Sequence, residues 1–315
     1  MTHEQLAFVF PGQGSQKVGM LAALAAAHPE VETTFAEASQ VLGYDLFARA
    51  QEGPAEAINM TECTQPLLLT ASVACWRVWR KLEGPLPRWL AGHSLGEWSA
   101  LVCADVVDFA DAVHLVRERG RLMQEAVPAG VGAMAAIIGL DDDAIQAVCA
   151  TAAQGQVVGP VNFNSPGQVV IAGHAEAVER AMEACKQAGA KRALPLPVSA
   201  PFHTSLMRPA AEGLSVQIEK TTFHSPTIPV VHNVHARTES DPAKIKALMI
   251  EQIYSPVLWV ACVNTLVEQG ATHALECGAG KVLGGLIKRI DKTLISGSLE
   301  TPEDIAAALE LTSSS

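Results

Sequence analysis

The segment WLAGHSLGEWSALVCADV, residues 89–106, restricts the architecture more than any other stretch of the chain. A brief apolar run reaches Gly92, a turn bounded by Gly92 and Gly96 follows, and a helix-forming run begins at once. A strand that passes this abruptly into a helix suits a parallel sheet, whose strands are covered by helices and read as short apolar runs. Similar runs occur in QLAFVF (residues 5–10), stopped by Pro11 and Gly12, and later in IPVVHNV and THALECG. They predict a parallel-sheet α/β core, with a first helix starting near Lys17, Ala- and Leu-rich helical segments around 20–42 and 64–82, and a disordered TSSS tail.

Between residues 128 and 198 the pattern changes. VGAMAAIIGL reads as a strand, DDDAIQAVCATAA as a helix with acidic caps, and GQVVGPVNFN and GQVVIAG as two strands joined by the turn NSPG. HAEAVERAMEACKQAG then reads as a helix and KRALPLPV as a last strand. That βαββαβ order predicts an inserted ferredoxin-like subdomain. The large domain is therefore expected to be discontinuous, built from 1–127 and 199–315.

Charge and composition exclude several function classes. Acidic residues outnumber basic ones 33 to 22, and a net charge of −11 disfavours nucleic acid. No apolar run approaches the ~18–20 residues that span a bilayer, and the N-terminus lacks a basic n-region, so a cytoplasmic protein without a membrane partner is expected. The seven cysteines are scattered singly, without metal-ligand spacing. FPGQGSQKVG fails as a phosphate loop, because Lys17 stands where a dinucleotide fingerprint needs glycine and Met20 follows Gly19 where a Walker loop needs its Lys-Ser/Thr.

Gly92-His93-Ser94-Leu95-Gly96 fits G-x-S-x-G in the strand–turn–helix setting of a nucleophile elbow. Ser94 is then either an activated nucleophile or an N-capping serine in a glycine-rich turn. A nucleophile needs a base. His203, in the proline-bracketed loop LPVSAPFHTSLMRPA where the chain re-enters the large domain, is the candidate; His93 diverges from Ser94 and has at most a supporting role. The glycine turn after the first strand can offer backbone N–H groups to an oxyanion. Arg119 has Leu115, Val116, Leu122 and Met123 as its helix neighbours, which puts its guanidinium on an apolar face. It needs an anion there, either an internal Asp or Glu or a substrate carboxylate.

Taken in order, FVFPGQGSQ, TQPLLLTAS, GHSLGE, RLMQEAVP, NFNSPGQVVIAG, PFH and ECGAGKVLGGLIKRI resemble the malonyl-CoA:acyl carrier protein transacylases of fatty acid synthesis, relatives of polyketide synthase acyltransferase domains. The resemblance covers nearly the whole chain. It implies a hydrolase-like α/β large domain with a ferredoxin-like small domain, and transfer of malonyl from malonyl-CoA through Ser94 to the phosphopantetheine thiol of acyl carrier protein. It makes His203 the general base, Gln13 and Leu95 the backbone oxyanion donors, and Arg119 the ligand of the malonyl carboxylate. It also assigns the histidine-orienting carbonyl to Leu258, in Pro256-Val257-Leu258-Trp259, and a malonyl-selective role to Phe202. No cofactor or metal is implied, and a monomer is expected. Carrier protein is usually acidic, so Lys186, Lys191, Arg192, Lys288 and Arg289 are candidates for a local docking patch. A serine thioesterase and a non-catalytic carrier-docking module are the rival readings; Arg119 speaks against the first, and Ser94, His203 and Arg119 together speak against the second.

Overall fold

The computed structural model describes residues 2–198 and 200–313. Strand β1 (Thr2–Phe10) leads into helices α1 (Ala22–Ala27), α2 (Glu30–Leu42), α3 (Leu46–Glu52), α4 (Ala55–Ile58) and α5 (Thr61–Lys81). Then come β2 (Leu86–Gly92), α6 (Leu95–Cys103) and α7 (Phe109–Glu125). The middle of the chain runs β3 (Gly132–Ile138), α8 (Asp142–Ala153), β4 (Val158–Ser165), β5 (Gln168–His174), α9 (Ala175–Gln187) and β6 (Arg192–Pro195). It closes with α10 (Arg208–Lys220), β7 (Val230–Val231), α11 (Pro242–Glu251), α12 (Trp259–Glu268), β8 (His273–Glu276), α13 (Val282–Ile290), β9 (Ile295–Ser298) and α14 (Pro302–Ser313).

Two sheets result. The first has the order β7-β2-β1-β8-β9 and is parallel throughout. The apolar runs read from the sequence are its centre: Leu6 to Phe10 on β1 and Leu90 and Ala91 on β2 are fully buried. Alternate residues feed opposite faces, Phe8 and Phe10 packing toward the long helix α5 while Ala7 and Val9 pack with Trp259, Val263 and Ile287 of α12 and α13. The second sheet is antiparallel, with the order β4-β5-β3-β6. Ala135, Ile137, Val169 and Ile171 face α8 and α9, and Met134 and Val170, one residue out of phase, face the larger core. This period-2 split joins the two sheets and leaves a cavity between them.

Three local expectations are corrected. The first helix starts at Ala22 rather than near Lys17, because Leu21 adopts a left-handed φ of 60° and residues 17–20 form a turn. The segment 20–42 is broken at His28, which is extended, and Pro29 then precedes α2. Thr312 and Ser313 end α14 rather than a disordered tail, while Ser314 and Ser315 lie outside the described residues, as does Ser199 at the expected domain junction. Among the described residues, no helix is long and apolar enough to cross a membrane.

Candidate active site

The turn between β2 and α6 works only with glycines at both ends. A Cβ on Gly92 would fall 2.0 Å from the carbonyl carbon of Gly96, and one on Gly96 would fall 2.0 Å from the carbonyl oxygen of Phe10 on β1. This close approach forces Ser94 to φ 50°, ψ −107°, a conformation that costs a non-glycine residue ~1–3 kcal/mol and is typically found at functional sites. Ser94 does not cap α6 with its side chain. Its backbone N–H instead donates to Asn233 Oδ1 (2.8 Å), and Asn233 Nδ2 donates to the Gly92 carbonyl (2.7 Å), so Asn233 holds the strained turn from below.

Released from capping, the Ser94 hydroxyl lies 2.8 Å from His203 Nε2. His203 Nδ1 lies 2.8 Å from the backbone carbonyl of Gln252. A carbonyl can only accept, so Nδ1 carries the proton and Nε2 is left free to accept from Ser94 Oγ–H. Burial, reinforced by the neighbouring positive charge of Arg119, pulls the His203 imidazole down to about 3, so it is neutral over the ordinary pH range. His203, like Ser94, has a positive φ, 63°.

The orienting carbonyl is therefore Gln252, not Leu258. Gln252 follows α11 at the start of a 3-10 turn, and its carbonyl points at the imidazole. Leu258 is the N-cap of α12, and its carbonyl accepts the first helical bond from Cys262 N (2.9 Å), which leaves it engaged elsewhere.

Arg119, on α7, is 1% exposed. Its Nη1 donates to Gln65 Oε1 (2.8 Å) and its Nη2 to Gln252 Oε1 (2.9 Å) and Ser94 Oγ (3.2 Å). All three acceptors are neutral, and Nε has no partner among the described residues. Burial pulls the guanidinium down to about 10, with Glu97 opposing. Glu97 is itself fully buried in the first turn of α6 and reaches Arg119 only through an amide: its Oε2 accepts from Gln252 Nε2 (2.7 Å) and Asn233 N (3.2 Å), and its Oε1 lies 2.6 Å from His232 Nδ1. Of the two anion sources left open by the sequence, an internal carboxylate in contact with Arg119 is thus not the one realised.

A cavity of about 290 Å³ opens onto these groups, and Gln13, Ser94, Leu95, Arg119, Phe202 and His203 all line it. Six of the seven residues singled out from the sequence converge there. The backbone N–H groups of Gln13, after β1, and Leu95, the first residue of α6, make no intramolecular hydrogen bond among the described residues, as an oxyanion pair requires. The opposite wall comes from the antiparallel sheet. Asn164 on β4 meets His93 Nε2 at 2.7 Å, which fixes a half-buried imidazole whose pKa desolvation lowers. Sequence reasoning missed Gln65, Gln252, Asn233, His232 and Asn164 as parts of the site. Gln65 and Asn164 lie in the quoted segments TQPLLLTAS and NFNSPG, but nothing local marks a glutamine in EQIYSP as a hub.

Comparison with known proteins finds relatives over nearly the whole chain. Residues 7–288 match the acyl transferase domain family. The malonyl CoA-acyl carrier protein transacylase of Escherichia coli strain K12 is 62% identical over 307 residues, 98% of this chain and 99% of that protein. A Vibrio cholerae acyl carrier protein S-malonyltransferase crystal structure superposes with a TM-score of 0.95 at 59% identity, covering 96% of this chain and 99% of that one. A malonyl-transacylase solved in complex with a type II polyketide synthase acyl-carrier protein gives 0.96 at 57% identity, with 98% and 99% covered. The chain belongs to the acyl transferase domain family, among its malonyl CoA-acyl carrier protein transacylases.

Proposed function

We propose that this protein moves a malonyl group from malonyl-CoA to the phosphopantetheine thiol of acyl carrier protein by way of a Ser94 acyl-enzyme. The observation that carries the reading is Arg119: a buried cation held by neutral acceptors, 3.2 Å from the nucleophile hydroxyl, is a place for a carboxylate on the acyl group. His203 Nε2 takes the proton as Ser94 Oγ attacks the thioester carbon. The tetrahedral oxyanion faces the N–H groups of Gln13 and Leu95. Its collapse breaks the C–S bond, and His203 returns the proton to the leaving CoA sulfur. In the second half His203 deprotonates the carrier thiol, which attacks the malonyl ester and releases Ser94. Phe202, 8% exposed on the cavity wall, limits the room beside the acyl chain.

The fold reading goes with this one. The five parallel strands form a hydrolase-like domain, from 1–127 and 199–315, with Ser94 directly beyond the C-terminal end of β2. Residues 128–198 form a ferredoxin-like subdomain, supported by the β4-β5-β3-β6 order and by α8 and α9 covering one face. Of the basic candidates for the carrier surface, Arg289 is the best supported: its Nη1 donates to Gln168 Oε1 (2.7 Å), and Gln168 lines the active-site cavity. Lys186 lies 3.9 Å from Glu183 on its own helix.

Intact-mass spectrometry tests the reading. Wild-type protein mixed with malonyl-CoA should gain one malonyl group and lose it to added carrier protein, whereas Ser94→Ala should gain none and His203→Ala should acylate at least ~10²-fold more slowly. Hydrolysis of the adduct at the same rate with and without carrier would favour the thioesterase instead.

A further inference from the structure

Arg119 presents an uncommon arrangement for a buried cation, because the nearest carboxylate is kept one residue away. The Gln252 side chain lies between them. Its Nε2 donates to two groups that can only accept there, Glu97 Oε2 (2.7 Å) and the Ser94 carbonyl (3.0 Å). This determines which end of the amide faces which neighbour, and Oε1 is turned to Arg119 Nη2 at 2.9 Å. On the other side Gln65, buried on α5, offers its Oε1 to Nη1 at 2.8 Å, with only the thioether of Met123, 3.9 Å away, beyond its Nε2. A glutamate at position 252 would set its carboxylate against Glu97 Oε2 and the Ser94 carbonyl, but the Gln65 position would accept one of the same shape. A carboxylate there would form the charge-assisted pair that a substrate carboxylate has to form, and the two would compete for one guanidinium.

We infer that Gln65 and Gln252 are specificity-determining positioning residues: a neutral clamp that holds the Arg119 guanidinium in place by hydrogen bonds while leaving its charge uncompensated for a carboxylate-bearing acyl group. Neutrality at these two positions, not only the presence of Arg119, makes the site prefer an acidic acyl chain. The inference rests on the reading that Arg119 receives the malonyl carboxylate. Its consequence is directional. Charge added at the clamp closes the site to malonyl, whereas loss of one neutral hydrogen bond does not.

The experiment measures kcat/KM for malonyl-CoA and for acetyl-CoA, with carrier protein as acceptor, on wild type, Gln65→Glu, Gln65→Met and Arg119→Ala, with folding checked by thermal melt. The malonyl-to-acetyl ratio is the readout, since a general loss of activity cancels in it. Gln65→Glu should lower the ratio by about 10²-fold or more, approaching Arg119→Ala, because the new carboxylate occupies the charge. Gln65→Met should keep the ratio within about tenfold of wild type. An unchanged ratio in Gln65→Glu overturns the clamp, and so does a fall in Gln65→Met as large as in Gln65→Glu, which would mean that the hydrogen bond and not the neutrality matters. Should Gln65→Glu not fold, Gln65→Asp supplies the same charge at that position: a ratio lowered by about tenfold or more supports the clamp, and an unchanged one overturns it. A wild type without malonyl preference, or an Arg119→Ala that keeps it, would bring down the underlying reading of Arg119, an outcome distinguishable from failure of the clamp alone.

Discussion

His203 shows how much one side chain's behaviour depends on its surroundings. In water its imidazole would be half protonated near pH 6.5. In the fold, burial and the adjacent Arg119 charge hold it at about 3, although the Gln252 carbonyl bonded to Nδ1 pulls the other way. If His203 is the base proposed above, an imidazole that is neutral from pH 7 down to pH 5 does not limit the reaction over that range. Acylation of Ser94 by malonyl-CoA, followed as kcat/KM, should accordingly stay level between pH 7 and pH 5. An unperturbed histidine would lose roughly 30-fold there, since it would be mostly protonated at pH 5. Stopped-flow acylation across that interval checks it, and an acid limb with a midpoint near 6.5 would show that His203 is not insulated as described.

At the scale of elements, the site depends on how closely α7 approaches α5. The contact is set by Gly120, where a Cβ would sit 2.4 Å from the backbone carbonyl oxygen of Thr61. Because Gly120 directly follows Arg119 on α7, the spacing of the two helices determines whether Nη1 reaches Gln65 on α5. Gly120→Ala should push the helices apart. The overpacking should cost about 1–3 kcal/mol of stability, and displacement of Arg119 should lower kcat/KM for malonyl-CoA by ~10²-fold. A denaturant melt together with steady-state kinetics reads both, and wild-type values for each would show that the backbone contact relaxes without moving the arginine.

For the whole molecule, burying neutral histidines ties stability to pH. His203 and His93 both have folded pKa values below the ordinary 6.5, in each case chiefly through burial. Above pH 6.5 both are neutral in the folded and unfolded states and contribute no pH dependence. Below it the unfolded chain takes up protons that the folded chain refuses, so stability falls as pH falls, by up to ~1.4 kcal/mol per pH unit for each group, until the folded pKa is reached, about 3 for His203. Glu276 acts in the opposite sense. Burial raises it to about 7, so it favours the folded state at low pH and that contribution is lost as pH rises from about 4.5 to 7. His235 and His273, whose pKa values burial also lowers, act in the same sense as His203 and His93, so four histidines oppose one carboxyl below pH 6.5 and the melting temperature should drop on going from pH 7 to pH 5. Calorimetry at matched ionic strength measures this, and a melting temperature that rises toward pH 5 would contradict the balance.

Sequence alone determined the features that are written locally. Continuous apolar runs specified the parallel strands, the βαββαβ order specified the second sheet, and two glycines around Ser94 specified an elbow, because turn geometry and burial on both faces leave their mark on adjacent residues. Helical spacing placed Arg119 on an apolar face, and a proline-rich loop isolated His203. What only the tertiary structure decided is which groups those residues touch. Gln252 carries the carbonyl on His203 and an amide on Arg119, Glu97 and the Ser94 backbone, yet it is separated from Ser94 by 158 positions and sits in a stretch without any motif. Leu258, selected by resemblance, uses its carbonyl to start a helix instead. Arg119 was legible as a cation in need of an anion, but not as one held by neutral partners, since that depends on α5, α7 and the end of α11 meeting around it. A hydrogen bond between distant segments needs only a donor and an acceptor at the right point in space, and many sequences supply those groups without periodicity or spacing to reveal them.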